Sequence, residues 1–78
     1  MKEKLNAYME KEYQSIIKLL EDNPSWVQSI TKKKRVIWDS ANRCLGAVMF
    51  AQELGLPYED TEAYDDYLEK FRELVLNI

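Results

Sequence analysis

The chain has 78 residues, a formal net charge of −3 and 46% hydrophobic residues. A chain of this length is large enough for only one hydrophobic core, so we predict a single domain over residues 1–78. Histidine is absent, which removes the commonest general base and the commonest metal ligand in proteins. The carboxylates are numerous, but we place none of them on an apolar face, where burial would raise the pKa. We therefore predict that the protein is not an enzyme, and we expect neither a metal nor a cofactor.

The sequence contains no stretch that resembles a signal peptide or a membrane span. Residues 1–6 are charged rather than apolar, and no apolar run approaches the ~20 residues that a transmembrane helix needs. The single cysteine, Cys44, allows no internal disulfide and lies in an apolar run, which is typical of a small core residue. We expect a soluble, cytoplasmic protein without membrane contact.

The first predicted helix covers about residues 3–22. Its apolar side chains recur at helical spacing and are Leu5, Met9, Tyr13, Ile16, Ile17 and Leu20. The pair Asn23-Pro24 should end this helix, because proline cannot continue the backbone ladder. Ser25 followed three residues later by Gln28 is a capping-box pattern, which predicts a short extra helix at about 25–30.

The central helix, predicted at about 33–54, is the most apolar part of the chain. One stripe is mostly small and consists of Ile37, Ala41, Cys44, Val48 and Ala51. A second, bulkier stripe consists of Trp38, Leu45 and Met49. Two such stripes predict that helices cover this element on more than one side. We expect Thr31 to cap it, although a continuous helix over 25–54 stays open as an alternative.

The last predicted helix covers about residues 60–77. Gly55 should end the central helix in the left-handed conformation, with Pro57 as a further stop. Asp60 or Thr61 should cap the last helix. Its apolar stripe is Thr61, Tyr64, Leu68, Phe71, Val75 and Ile78, with Tyr67 and Leu74 on the same side. The predicted fold is an all-α bundle of three main helices with the central helix as the hub.

Acidic residues on the last helix form the sharpest candidate for a functional surface. The acidic stripe consists of Glu59, Glu62, Asp66, Glu69 and Glu73. Its spacing matches that of the apolar stripe but is displaced by two residues, so it should face outward over about 20 Å. A charged outer face is ordinary for a solvated helix, but a single sign of charge is less so, because mixed pairs would stabilise the helix better. The stripe is therefore a candidate contact for a basic partner.

A basic run lies at the start of the central helix and consists of Lys32, Lys33, Lys34 and Arg35. Four consecutive side chains on a helix point in all directions, whereas phosphate binding needs several that converge. The net negative charge of the chain also opposes binding of a polyanion. We therefore prefer a solvated junction between helices over a nucleic-acid site.

Phe50 and Gly46 lie on the polar side of the central helix, where a large apolar side chain has no expected partner within the chain. Asp39 and Arg43 share that side at a spacing of four residues, where they can form an ion pair. Either another element covers this strip, or Gly46 and Phe50 mark a contact with another chain.

Three functions follow from these features. The first is a non-enzymatic interaction protein that binds a protein partner through helix faces, as a homo-oligomer or as an adaptor. The second is an inhibitor whose acidic last helix occupies a basic, nucleic-acid-type groove on a partner, as small proteins of mobile elements can do. The third and weakest is a nucleic-acid binder that uses the basic run.

Overall fold

The computed structural model describes residues 1–78 and consists of helices α1 (Lys2–Asp22), α2 (Ile30–Glu53) and α3 (Ala63–Leu76). Two short 3-10 turns, Ser25–Val27 and Tyr58–Thr61, precede α2 and α3. Each helix contacts both of the others, and the molecule measures 41 × 18 × 15 Å along its principal axes. The predicted all-α bundle of three helices is confirmed.

Two residues with positive φ end the first two helices as the sequence predicts. Asn23 adopts the left-handed conformation (φ 46°, ψ 54°), and its N–H donates to the carbonyl of Leu19 at 3.0 Å. Pro24 then prevents any continuation of α1. Gly55, with φ of 105°, follows the end of α2. Glycine suits this position because it has no Cβ to clash with the backbone.

The start of α2 differs from the prediction. Ser29, not Thr31, is the cap, and its Oγ accepts a hydrogen bond from the backbone N–H of Lys32 at 3.1 Å. Ser29 is extended (φ −72°, ψ 148°), so the helix can begin at Ile30 and the basic run falls within its first two turns. Like charges at the solvated end of a helix cost too little to delay its start.

The segment before α2 is also shorter than predicted. The extra helix expected at about 25–30 is a three-residue 3-10 turn, Ser25–Val27, in which Ser25 makes no capping bond. The Gln28 side chain donates instead to the carbonyl of Asn23 at 3.2 Å. The extended backbone at Ser29 also excludes a continuous helix over 25–54.

The last helix begins three residues later than predicted, at Ala63. Neither Asp60 nor Thr61 caps it, because both belong to the 3-10 turn Tyr58–Thr61. The hydroxyl of Thr61 donates to the carbonyl of Tyr58 at 2.6 Å and accepts from Nε2 of Gln52 at 3.2 Å. That hydroxyl therefore ties the turn to α2 and is not free to cap α3.

The core lies where the small stripe of α2 meets the other two helices. Every member of that stripe, from Ile37 to Ala51, is buried. The side chains that fill the rest of this cluster are Leu5, Met9 and Ile16 of α1 and Phe71 of α3. Burial of each large side chain stabilises the fold by about 1.5–3 kcal/mol. The predicted core stripes of all three helices are confirmed at these positions.

The bulky stripe of α2 is only partly covered, contrary to the prediction. Trp38 and Leu45 are 37% and 38% exposed, and Met49 is 54% exposed. Small side chains on the neighbouring stripe let both α1 and α3 approach α2 closely there. Both partner helices therefore pack on the same side of α2, and the large side chains remain on the outside.

Candidate interaction surface

The outer face of α2 carries a group of large apolar side chains outside the core. We define it by Trp38, Asn42, Leu45 and Met49, which share one side of the helix because they are three or four residues apart. Phe50, 61% exposed, lies at its edge. The core is complete without these side chains, so their exposure is not required by the packing of the bundle.

A groove adjoins this face between α2 and the start of α3. Its volume is about 210 Å³. Its apolar lining comes from Leu45, Val48, Met49, Tyr58 and Tyr64. Glu62 and Asp65 stand at its rim, and both are exposed. The groove can therefore accept an apolar side chain whose neighbours carry positive charge.

Gly46 lies beside the outer face, in the middle of α2. A Cβ added at this position would meet no atom within 4 Å, so nothing inside the chain requires a glycine here. Glycine within a helix is less stable than alanine by roughly 0.5–1 kcal/mol. A second helix could approach the backbone closely at this point.

The basic run does not form one surface. Lys33 is half-buried, and its ammonium donates to Oδ1 of Asn23 at 2.8 Å and to the carbonyl of Gln28 at 3.2 Å. It therefore anchors the connection between α1 and α2. Lys32, Lys34 and Arg35 are exposed and give the N-terminal end of α2 a positive charge.

All five members of the acidic stripe are exposed. Glu59, however, lies in the 3-10 turn, and Glu62 is the residue before α3. One of the two cations of α3 is engaged away from the stripe, and the other lies near one of its members. Lys70 lies over the rings of Tyr67 and Tyr13, with Nζ 4.8 and 5.4 Å from their centroids, and Arg72 approaches Glu69 only at 3.9 Å.

A polar cluster that sequence reasoning missed joins α1 to α2. Glu12, only 17% exposed in its side chain, accepts hydrogen bonds from Arg43 Nε at 3.0 Å and Nη2 at 3.1 Å. The buried hydroxyl of Ser40 donates to Oε2 of Glu12 at 2.7 Å, and the hydroxyl of Tyr8 donates to Oε1 at 3.2 Å. The predicted pairing of Asp39 with Arg43 is wrong, since Arg43 turns toward α1 instead.

The carboxylate of Glu12 is stabilised in its charged form by its hydrogen-bond partners. Partial burial acts to raise the pKa of Glu12, but the hydrogen bonds from Arg43 and Ser40 outweigh it and hold the pKa below its ordinary value. The expectation that every carboxylate lies away from the core is therefore wrong for Glu12. The cluster keeps Glu12 charged and links α1 to α2.

A spacing signal for this cluster was present in the sequence. Glu12 continues the buried positions Met9 and Ile16 at spacings of three and four residues. Ser40 lies in the same way between Ile37 and Cys44. A carboxylate and a hydroxyl, each in phase with a core stripe, indicate a hydrogen-bonded pair between the two helices.

The hydroxyl of Tyr67 and the thiol of Cys44 both have a raised pKa. The hydroxyl of Tyr67 donates to Oε2 of Glu10 at 2.7 Å and links α3 to α1; burial and this bond raise the pKa of Tyr67 to about 12. Cys44 is buried as predicted, and burial raises the pKa of its thiol to about 11. The thiolate, which is the nucleophilic form, is therefore disfavoured.

No group of three or more His, Cys, Asp or Glu side chains is arranged to hold a metal ion. None of the helices is both long enough and apolar enough to cross a membrane. No family model matches the chain, and no curated protein or solved structure matches it. A proposal for its function therefore rests on the surfaces described above.

Proposed function

We propose that this chain is a small, non-enzymatic, cytoplasmic interaction protein that binds a protein partner through the outer face of α2, as a homo-oligomer or as an adaptor. The observation that carries the proposal is the exposure of Trp38, Leu45 and Met49 beside a core that is complete without them. Aromatic residues and methionine are enriched at protein interfaces.

The chemistry of the partner follows from the groove. Its floor is apolar, which favours an aromatic or aliphatic anchor, and its rim carries Glu62 and Asp65. The partner should therefore present an apolar side chain flanked by lysine or arginine. Charge complementarity of this kind mainly raises the association rate and the specificity of binding.

The test is to place a charge on the outer face. Met49→Glu should abolish association, because a carboxylate would be buried against apolar groups. Leu76→Glu is the matched control, since Leu76 is 81% exposed at the end of α3 and outside the outer face. Both variants should keep the helical circular dichroism of the wild type. Equal association of the two variants would contradict the proposal.

A second candidate is the acidic inhibitor, with α3 occupying a basic groove that normally holds nucleic acid. It is supported by the exposure of all five acids of the stripe and by the position of Lys70 over two aromatic rings. The test is displacement of a labelled oligonucleotide from basic DNA-binding domains. Reversing Glu62, Asp66 and Glu69 to lysine should abolish displacement, whereas reversing Glu3, Glu21 and Asp22 on α1 should not.

Nucleic-acid binding by the chain itself has less support. Lys33 is already bonded to Asn23 and Gln28, which leaves three exposed members of the basic run. Phosphate contacts are strongest at low salt, so a gel shift with duplex or single-stranded DNA at low salt is the test. We expect no shift.

A further inference from the structure

We propose that the occupant of the outer face of α2 is a second copy of this chain, with the two α2 helices antiparallel across a two-fold axis. This inference rests on the proposed function and names its partner. Two observations carry it. The apolar side chains of the outer face pair with one another when the helix is reversed, and the two ends of α2 carry opposite charge.

The residues of the outer face pair with one another when α2 is reversed. With the two-fold axis between residues 43 and 44, Trp38 of one copy lies opposite Met49 of the other, and Asn42 lies opposite Leu45. In the same register Lys34 lies opposite Glu53. A two-fold interface requires this self-complementarity, because each contact occurs twice.

The distribution of charge selects the antiparallel arrangement. The N-terminal end of α2 carries exposed Lys32, Lys34 and Arg35. Glu53 stands at its C-terminal end, and Glu62 and Asp65 line the groove beside the C-terminal half of the helix. Parallel helices would place like charges together at both ends. Antiparallel helices place the basic end of each copy beside the acidic end of the other.

The groove gives the indole of the second copy a place to bind. Trp38 lies about 16 Å along α2 from Met49, from the rise per residue, so reversal of the helix brings it to the groove beside Met49 and Leu45. The groove is apolar at its floor and acidic at its rim. Lys34, one turn from Trp38, would then lie near Glu62 and Asp65.

Gly46 is not required by the packing within one chain, but a small residue at this position suits an approach of the second copy. Gly46 lies within one turn of the two-fold axis, at the edge of the outer face, and the space next to its Cα is empty. A small residue there lets the helix backbones approach. A glycine at the edge of the interface is thus compatible with a close approach of the second copy.

The experiment is a charge exchange measured by sedimentation equilibrium. Lys34 and Glu53 are exposed, and neither belongs to an ion pair in the chain, so variants at both positions should fold. Lys34→Glu alone and Glu53→Lys alone should each weaken the dimer about tenfold, because each replaces two symmetric attractions with repulsions. The double variant should dimerise more tightly than Lys34→Glu alone, because the acid at position 34 again faces a base at position 53; recovery should be partial, since position 34 also lies near Glu62 and Asp65 of the other copy.

Measuring the dimer affinity at several salt concentrations separates the electrostatic contribution from the apolar one. The wild-type dimer should weaken between about 0.05 M and about 0.5 M salt, since the Debye length falls about threefold. The single variants should respond to salt in the opposite direction, because salt then screens repulsion. Helical circular dichroism and the thermal midpoint of each variant check that the fold is unchanged.

The outcomes are distinct. A wild-type monomer up to millimolar concentration would overturn the second copy as occupant but would leave the proposed function to be tested with Met49→Glu and another partner. A dimer in which the double variant fails to recover would overturn the antiparallel register. A dimer that is insensitive to Met49→Glu would overturn both this inference and the proposed function.

Discussion

The two sides of α2 differ in a way that reverses the usual relation between side-chain size and burial. The inner side, centred on Ala41, Cys44 and Val48, is small and fully packed, whereas Trp38 and Met49 on the outer side are large and exposed. Both neighbouring helices pack on the small side because it allows close approach. The size of the side chains alone therefore does not show which side of an apolar helix is buried in a bundle. The side that is buried is the one that leaves enough space for the two neighbouring helices.

Core truncation should separate the two sides most strongly. Phe71→Ala should lower the free energy of unfolding by about 3–5 kcal/mol, because Phe71 is fully buried against the inner side of α2. Met49→Ala on the outer side should change the stability of the monomer by less than about 0.5 kcal/mol. Urea unfolding at low protein concentration measures both. Similar losses would show that the outer side belongs to the core.

Acidification should weaken the contact between α1 and the inner side of α2. The pKa of Glu12 in the folded protein lies below its ordinary value of 4.5, so the folded state binds fewer protons than the unfolded state. Its contribution to stability is present above pH 4.5 and is lost as the pH falls through the folded pKa.

Glu12→Gln should therefore flatten the dependence of stability on pH in the acid range, and thermal midpoints at several pH values measure this. Glu10 is a second source of acid dependence, because hydrogen bonds from Tyr67 and Gln14 lower its pKa. Some slope should persist in Glu12→Gln for that reason. An unchanged slope would mean that the cluster with Ser40 and Arg43 does not hold the charge of Glu12.

Gly46→Ala should stabilise the monomer by roughly 0.5–1 kcal/mol, because alanine is the better helix former and the added Cβ meets no other atom. The same change should weaken the dimer if two helix backbones approach at this position. Urea unfolding and sedimentation of one variant thus compare the monomer with the assembly. A loss of monomer stability would contradict the open surroundings of Gly46.

Cys44 should show the smallest effect. A buried thiol with a pKa of about 11 should react with a thiol reagent at pH 8 only through opening of the bundle. The reaction should therefore be slow in the native protein and should accelerate in urea. Equally rapid labelling with and without urea would show that the inner side of α2 opens readily.

The sequence predicts helix type and inner stripes well, because spacing of three and four residues reports directly on which side of a helix is apolar. The buried positions Leu5, Ile16 and Phe71 were recognised in this way. Boundaries were less accurate. Ser29 replaced Thr31 as the cap because a cap depends on one extended residue and one hydrogen bond, and neither leaves a periodic pattern.

The surfaces were harder to predict. The exposure of Trp38 and Leu45 depends on where α1 and α3 pack, which the pattern of α2 alone does not determine. The Glu12–Ser40 contact joins residues 28 positions apart, and each looked ordinary alone. Only the phase of both residues with the core stripes indicates that they meet.

The Glu12 cluster also determines the register of α1 against α2. The α2 side of the apolar seam includes the small side chains Ala41, Cys44 and Val48, which by themselves discriminate weakly against a slide of one turn, about 5.4 Å. After such a slide, the buried hydroxyl of Ser40 would lose its partner, and the partly buried carboxylate of Glu12 would lose its hydrogen bonds from Ser40 and Arg43. An unpaired buried polar group costs about 1–3 kcal/mol, in addition to the cost of repacking Met9 and Ile37 in the core. The aligned bundle is thus favoured by a few oxygen atoms as well as by the shape of the core.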